Sequence, residues 1–105
     1  MNDETRADDA TGPVRLSGKL ICSCLMDVEV IKANLPEHVR LSLQEPGCLS
    51  FKVWQTDDQL VWGVEENFID PSAFAHHQQR TRASAWWAAT AEIPRSYTIT
   101  GLRSE

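Results

Sequence analysis

The chain has 105 residues, 42% of them hydrophobic, which suits one small domain with a modest core. Its net charge of -5 and the lack of a basic stripe argue against a nucleic-acid partner. No segment approaches the roughly 20 apolar residues of a membrane span, and no apolar run typical of a signal peptide follows the N-terminus, so we expect a cytoplasmic protein without a membrane partner.

The first 13 residues (MNDETRADDATGP) are polar, acidic and end in Gly-Pro. Such a composition cannot bury enough apolar surface to order itself. We therefore predict a disordered acidic arm over residues 1–13 and one folded domain over residues 14–105.

Residues 14–24 alternate apolar and polar side chains, which predicts the first strand. This stretch contains two of the three cysteines, and the set of Cys22, Cys24 and Cys48 has no CxxC spacing. An odd number of cysteines, two of them on one strand face, indicates reduced apolar residues rather than a disulfide framework. The histidines lie elsewhere, so we predict no metal site.

A helix is predicted to begin at Asp27 as the N-cap. Pro36 interrupts it and predicts a kink or two short helices. Pro46-Gly47 ends the region, where Gly47 is expected to supply the positive φ of a helix exit. The predicted apolar stripe consists of Val28, Ile31, Leu35, Val39 and Leu43.

Two strands follow, over residues 48–56 and 60–68, joined by a turn at Asp57-Asp58. On the first of them, Leu49, Phe51 and Val53 are predicted to share a face. The second is predicted to have an apolar face that also contains Glu66, where a carboxylate is least expected. That face consists of Leu60, Trp62, Val64, Glu66 and Phe68.

Asp70-Pro71 predicts the start of a second helix, with Asp70 as N-cap and Pro71 at the first helical position. A break is predicted near residues 80–82, followed by the helix-forming run ASAWWAATA. Trp86 and Trp87 are adjacent, so only one of them can point inward. Residues 96–101 (SYTITG) predict the last strand.

The element order is β-α-β-β-α-β, which predicts an α+β, ferredoxin-like fold. Two helices would cover one face of a four-stranded antiparallel sheet. The other face would expose Ile21, Trp54 and Val61, and a chain of this size is expected to bury them against a second copy. We therefore predict a homodimer.

Glu66 and His77 are predicted to point into one apolar interior, because His77 lies three residues after Phe74 on the same helix face. They would form an acid/base pair in a small-molecule pocket. A purely structural pairing of the two is the alternative. His76 is turned about 100° away on a helix and is expected at the surface. His38 has no obvious partner.

Two segments, EPGCLSFKVW (residues 45–54) and WGVEENFIDPSAFAHHQQRTRASAW (residues 62–86), resemble the antibiotic biosynthesis monooxygenase family. The resemblance extends over residues 16–102. It implies a dimeric α+β barrel with a pocket between the sheet and the helices of each subunit. It also implies oxygenation of a phenol or quinol by O₂ without a metal or flavin cofactor. The substrate would lose a proton, pass an electron to O₂ and form a peroxide that loses water.

The resemblance implies that His77 is the base, or the donor to the substrate anion, and that Glu66 orients it or acts as a base itself. Arg82 would bind an anionic substrate group, with a solvated helix charge as the alternative. The aromatic residues expected to wall the pocket and stack on a planar substrate are Trp62, Phe68, Phe74 and Trp86.

The resulting functional prediction is a cofactor-independent monooxygenase that acts on a small quinol or a polycyclic phenol. The alternative is a non-catalytic dimeric barrel that binds a small aromatic ligand. A branch of the family that degrades haem uses an Asn on the first strand and a Trp on the third. This chain has no Asn in residues 16–24 and has Phe68 at the position of that Trp, so haem degradation is disfavoured.

Overall fold

The computed structural model describes residues 12–102, and the helices and strands follow the predicted order. The predicted disordered arm lies outside the described residues, apart from its last two. Within the described range the second helical region is divided in two, as the predicted break requires. The elements are β1 (Val14–Ile21), α1 (Leu25–Leu43), β2 (Cys48–Gln55), β3 (Val61–Phe68), α2 (Pro71–Arg82), α3 (Ala85–Thr90) and β4 (Arg95–Thr100).

The four strands form one antiparallel sheet in the order β2-β3-β1-β4. In the central strand β1, Leu16 lies opposite Glu66 of β3 on one side and Ile99 of β4 on the other. The inner face of the sheet packs with the helices into one hydrophobic core. This α+β arrangement confirms the predicted ferredoxin-like fold.

Strand β3 has the predicted alternation. Trp62, Val64, Glu66 and Phe68 are all buried, whereas Glu65 between them is partly exposed. The matching prediction for β2 is wrong at Leu49, which is 59% exposed. A register shift between Cys48 and Ser50 adds a residue there. Such a bulge interrupts the period of two, so the alternation begins only after it.

Helix α1 departs from the prediction at its start and along its buried face. It begins at Leu25 after Cys24 as N-cap, and Asp27 lies in the first turn, where its carboxylate accepts a hydrogen bond from Ser23 N. It is one helix with Pro36 inside it, not two. After Pro36 the predicted stripe is wrong, because the buried residues are His38 and Ser42 rather than Val39 and Leu43.

Gly47, three residues after the C-cap of α1, packs against the start of α2. It does not have the predicted positive φ. Its role is close packing, because a Cβ at this position would collide with the Cβ of Ala73 on α2. The Gly47 carbonyl also accepts a hydrogen bond of 2.9 Å from Ile69 N. The residues just before Gly47 are thereby held against α2.

Helix α2 begins as predicted, and α3 begins at Ala85, two residues into the predicted helix-forming run. The Asp70 carboxylate caps α2 by accepting a hydrogen bond from Ala73 N at 2.8 Å, and the Ser84 hydroxyl caps α3 by accepting one from Trp87 N at 3.2 Å. Trp86 points inward and is 6% exposed. None of the helices within residues 12–102 is long and apolar enough to cross a bilayer.

Candidate functional site

A cavity of about 210 Å³ lies between the inner face of the sheet and the helices. Its floor is formed by buried side chains, and its rim is partly exposed to solvent. The floor residues are Leu16, His38, Glu66, His77 and Trp86. The rim residues are Gln78, Thr81, Arg82, Trp87, Arg95 and Tyr97.

His77 is held from behind by Glu45, the residue that follows the C-cap of α1. Its Nδ1 lies 2.8 Å from Glu45 Oε1, and both side chains are buried. Arg80, one turn further along α2, donates its Nε–H to the other Glu45 oxygen and donates from Nη2 to Ser42 Oγ at 3.0 Å. Glu45 therefore pairs with two side chains at once, the partly buried Arg80 and the buried imidazole of His77.

This arrangement assigns the tautomer of His77. A carboxylate can only accept, so Nδ1 carries the proton and donates it to Glu45. The lone pair of Nε2 is then directed away from Glu45. Nε2 lies 3.3 Å from Thr81 Oγ1 and 3.6 Å from Glu66 Oε1, and the second distance is too long for a hydrogen bond. His77 therefore presents a basic nitrogen beside Glu66, and this nitrogen accepts a long hydrogen bond from the Thr81 hydroxyl.

Glu66 is a buried carboxyl group whose Oε1 has no hydrogen-bond partner among residues 12–102. Burial, together with the nearby charge of Glu45, raises the pKa of Glu66 to about 8, an effect that Arg95 opposes in part. Glu66 is therefore mostly protonated at pH 7 and can donate a proton or a hydrogen bond.

The two buried histidines are neutral at the same pH. Burial lowers the pKa of His77, although the hydrogen bond to Glu45 opposes this. Burial also lowers the pKa of His38 to about 3, and the charges of Arg80 and Arg95 and the neighbouring His77 disfavour protonation further. His38 stacks on Trp86 with ring centroids 4.7 Å apart and planes 2° apart, and its buried Nδ1 has no partner among residues 12–102.

Four of the residues that the sequence predicted for the site line this cavity: Glu66, His77, Arg82 and Trp86. The other three do not, and the prediction that they wall the pocket is corrected: Trp62, Phe68 and Phe74 are core residues. Phe68 supports the site from below, with its ring centroid 5.0 Å from that of His77. The carboxylate that accepts the orienting hydrogen bond of His77 belongs to Glu45 and not, as expected, to Glu66.

Sequence reasoning missed several residues of the site: Glu45, His38, Arg80, Arg95 and Tyr97. A signal existed for Glu45, since it begins the segment EPGC on which the family resemblance rested. The sequence has no such signal for His38 or Arg80, because an isolated polar residue on an amphipathic helix is usually solvent-exposed. As predicted, His76 is exposed at the surface.

Arg95 is fixed at the rim by neutral groups. Its Nη1 donates to the carbonyl oxygens of Thr90 and Ile93, both at 2.8 Å, and its Nη2 donates to Thr90 Oγ1 at 2.8 Å. Its guanidinium carbon lies 4.9 Å from the centre of the Trp87 ring, a cation–π geometry. Within residues 12–102, no group of three or more His, Cys, Asp or Glu side chains is positioned to hold a metal ion.

The family model for antibiotic biosynthesis monooxygenases matches residues 28–89, which are 62 of the 105 residues. The chain belongs to this antibiotic biosynthesis monooxygenase family. The match includes Glu45, Glu66 and His77 but ends before β4 and Arg95. A comparison with proteins of curated function finds no match.

Solved structures agree with the family assignment at the level of the fold. A Nitrosomonas europaea protein that bears the same family name is 22% identical, with 85% of this chain and 88% of that chain covered and a TM-score of 0.70. A conserved Methanosarcina mazei protein is 14% identical over 93% and 99% of the two chains, with a TM-score of 0.70. A Caulobacter crescentus protein with the family name is 17% identical over 97% and 99%, with a TM-score of 0.61.

Proposed function

We propose that this family member is a monooxygenase that oxidises a small quinol with O₂ and needs no metal or flavin. The observation that carries the proposal is a basic nitrogen beside an unsatisfied acid on the cavity floor. His77 Nε2 accepts a long hydrogen bond of 3.3 Å from the Thr81 hydroxyl, Glu66 Oε1 has no hydrogen-bond partner among residues 12–102, and both side chains line a space that a ligand can enter. A buried polar group without a partner is costly, so its retention at a cavity supports a role in binding or chemistry.

In the proposed reaction, His77 Nε2 takes the proton of a substrate hydroxyl. The imidazolium that forms is stabilised by the Glu45 carboxylate, which already accepts the Nδ1–H hydrogen bond. Glu66 in its protonated form donates a hydrogen bond to the developing phenolate oxygen. The His38 ring and its Trp86 partner contact the face of the bound aromatic ring.

The substrate anion then supplies the electrons. It transfers one electron to O₂, and the two radicals combine into a ring-carbon peroxide. The imidazolium protonates the outer oxygen of the peroxide. The ring carbon then loses its hydrogen as a proton to His77 while the O–O bond breaks, so one oxygen stays on that carbon as a carbonyl and the other leaves as hydroxide. The hydroxide takes the Glu66 proton and becomes water, and the imidazolium returns its proton to Glu66. O₂ gains four electrons, all from the substrate, and the product is a quinone with one added oxygen atom. No further reductant is required.

The volume of the cavity favours a small quinol over a polycyclic phenol. An apolar cavity of about 150 Å³ holds one benzene molecule. The 210 Å³ here therefore suits one substituted ring or two fused rings. A three-ring anthrone or a haem macrocycle would require the cavity to enlarge.

The alternative of a non-catalytic barrel would be favoured if aromatic side chains filled the pocket and Glu66 were paired inside it. Neither condition holds among the described residues, because the cavity is open and Glu66 Oε1 has no partner. The geometry therefore gives more support to chemistry than to simple ligand binding.

We also propose that two copies pair through the outer face of the sheet. On that face the exposed side chains of Ile21 and Trp54 and the half-buried Val61 form an apolar patch at one end. The Trp54 ring lies on Gly63, where a Cβ would collide with it. An apolar patch that includes a tryptophan is typical of a surface that becomes buried.

The test of the proposed activity is oxygen uptake by chelator-treated, metal-free protein with a panel of one- and two-ring quinols. With ¹⁸O₂, the proposal requires one labelled atom per product molecule and one O₂ consumed per quinol. Products without label, or uptake no faster than autoxidation across the panel, would contradict it.

A further inference from the structure

The rim of the cavity concentrates positive charge. Arg82 and Arg95 both line it, and Glu66 is the only carboxyl group in the lining within the described part of the chain. Glu66 is mostly neutral at pH 7 because its pKa is about 8. The cavity therefore has two uncompensated positive charges in a protein whose net charge is -5.

These two arginines differ from the other three in residues 12–102. Arg15, Arg40 and Arg80 each pair with a glutamate: Glu65, Glu37 and Glu45, respectively. Neither Arg82 nor Arg95 makes an ion pair with any of the described residues. Among the arginines of residues 12–102, those without a carboxylate partner are thus the two that line the cavity.

Arg95 is oriented without being neutralised. Three of its N–H groups are used by the carbonyl oxygens of Thr90 and Ile93 and by the Thr90 hydroxyl. An arginine has five N–H donors, so two remain. The guanidinium is also fixed against the ring of Trp87. A preformed fork with spare donors suits a carboxylate, which arginine binds through two parallel hydrogen bonds.

We propose that the cavity binds a phenol or quinol that has a carboxylate, held by Arg95 and Arg82 at the rim while its hydroxyl faces His77 and Glu66. Only the identity of the reacting hydroxyl rests on the proposed function. The carboxylate site depends on the two arginines alone. Because β4 lies outside the residues matched by the family model, Arg95 is a feature of this chain that the family assignment does not supply.

Binding of two unreactive probes tests the inference. 2-Naphthoate and 2-naphthamide have the same rings and nearly the same shape, and only the first is charged. By isothermal titration calorimetry on the full chain at pH 7 and low salt, we expect naphthoate to bind at least about tenfold more tightly. We expect Arg82→Gln and Arg95→Lys each to reduce this preference severalfold.

Arg40→Gln is the matched control, since it removes an exposed arginine of α1 that does not line the cavity. Arg95 also holds the end of α3, so Arg95→Lys is first checked by its thermal unfolding. If that variant does not fold, the effect of Arg82→Gln on the naphthoate preference alone tests the inference. Equal binding of both probes, no binding of either, or a preference that Arg82→Gln leaves unchanged would overturn the inference.

Oxygen uptake separates this inference from the proposed function. With 2,5-dihydroxybenzoate, we expect a KM at least about tenfold below that for 1,4-dihydroxybenzene. Oxidation of both compounds with equal KM would overturn the carboxylate site and would still support the proposed monooxygenase activity. A naphthoate preference without oxidation of any quinol would support the carboxylate site and overturn the proposed reaction.

Discussion

His77 Nδ1 lies 2.8 Å from Glu45 Oε1, although the two residues are 32 positions apart in the chain. Glu45 reaches this position because Gly47, two residues later, packs directly on Ala73 of α2. The hydrogen bond fixes the tautomer in which the His77 Nε2 lone pair points away from Glu45, and Nε2 there accepts a long hydrogen bond from the Thr81 hydroxyl. Arg80, which is partly buried, binds the other oxygen of Glu45, so His77, Glu45 and Arg80 act as one hydrogen-bonded unit.

Glu45→Gln is expected to destabilise the protein and to slow the reaction. The substitution leaves the partly buried Arg80 without its counter-charge, which should cost on the order of 1–3 kcal/mol. The glutamine can no longer stabilise the imidazolium by charge, so we expect kcat to fall by about 10-fold to 100-fold at a temperature where the variant is folded. Thermal unfolding and oxygen uptake measure the two effects.

The matched control is Glu37→Gln, the same chemical change in an exposed carboxylate that pairs with Arg40. A surface ion pair contributes little to stability, so this variant should resemble the wild type. Equal unfolding temperatures for the Glu45 and Glu37 variants would show that the contacts of Glu45 with Arg80 and His77 do not stabilise the protein.

Glu66 is expected to make the protein less stable as the pH rises from 5 to 8. The unfolded chain releases this proton above its ordinary pKa of about 4.5, whereas burial raises the folded pKa to about 8. Over that interval the folded state binds more protons than the unfolded state, so stability falls with rising pH. Glu66→Gln removes the effect.

Relative to wild type, the Glu66→Gln variant should gain stability between pH 5 and pH 8, by an amount on the order of 3–5 kcal/mol. Urea unfolding at a series of pH values measures the difference. Glu65→Gln is the matched control, because it changes the neighbouring carboxylate on the outer face without touching the cavity. A difference between Glu66→Gln and wild type that stays constant with pH would mean that Glu66 ionises normally.

The enzyme should oxidise quinols of one or two rings more efficiently than quinols of three rings. A cavity of about 210 Å³ accepts one or two rings, so kcat/KM for 1,4-dihydroxynaphthalene should exceed that for 1,4-dihydroxyanthracene, which has the same reacting ring and one more fused ring, by at least about tenfold. Initial rates of oxygen uptake, corrected for autoxidation of each compound, measure the ratio. A preference for the three-ring compound would show that the cavity enlarges on binding.

The apolar patch on the outer face of the sheet should mediate dimer formation. Light scattering at micromolar concentration should give twice the chain mass for the wild type. Trp54→Glu buries a charge in the proposed interface and should give the mass of one chain. Met26→Glu, at another exposed apolar residue on α1, should remain a dimer. A wild-type monomer, or a Trp54→Glu dimer, would contradict the proposed pairing.

The sequence predicted what depends on local periodicity. The alternation along β3 correctly identified Glu66 as an inward carboxylate, and the spacing from Phe74 to His77 correctly oriented the imidazole. The same method failed on α1. Hydrophobic periodicity selected Val39 and Leu43 after Pro36, but the buried residues there are His38 and Ser42.

That failure has a physical reason. A polar residue is buried only when a partner distant in sequence satisfies it, and no local pattern contains that information. Ser42 accepts a hydrogen bond from Arg80, 38 residues away, and His38 stacks on Trp86, 48 residues away. Arg95 was missed for the same reason, since its place at the cavity rim depends on how β4 pairs with β1.

The measurement that tests the central claim most directly is oxygen uptake by His77→Ala compared with His76→Ala. The two variants remove the same side chain from adjacent positions, one on the cavity floor and one at the surface. With 1,4-dihydroxynaphthalene and metal-free protein, we expect His77→Ala to lose about 10²–10⁴-fold in kcat and His76→Ala to retain the wild-type rate. Equal rates for His77→Ala and His76→Ala would contradict the assignment of His77 as the base.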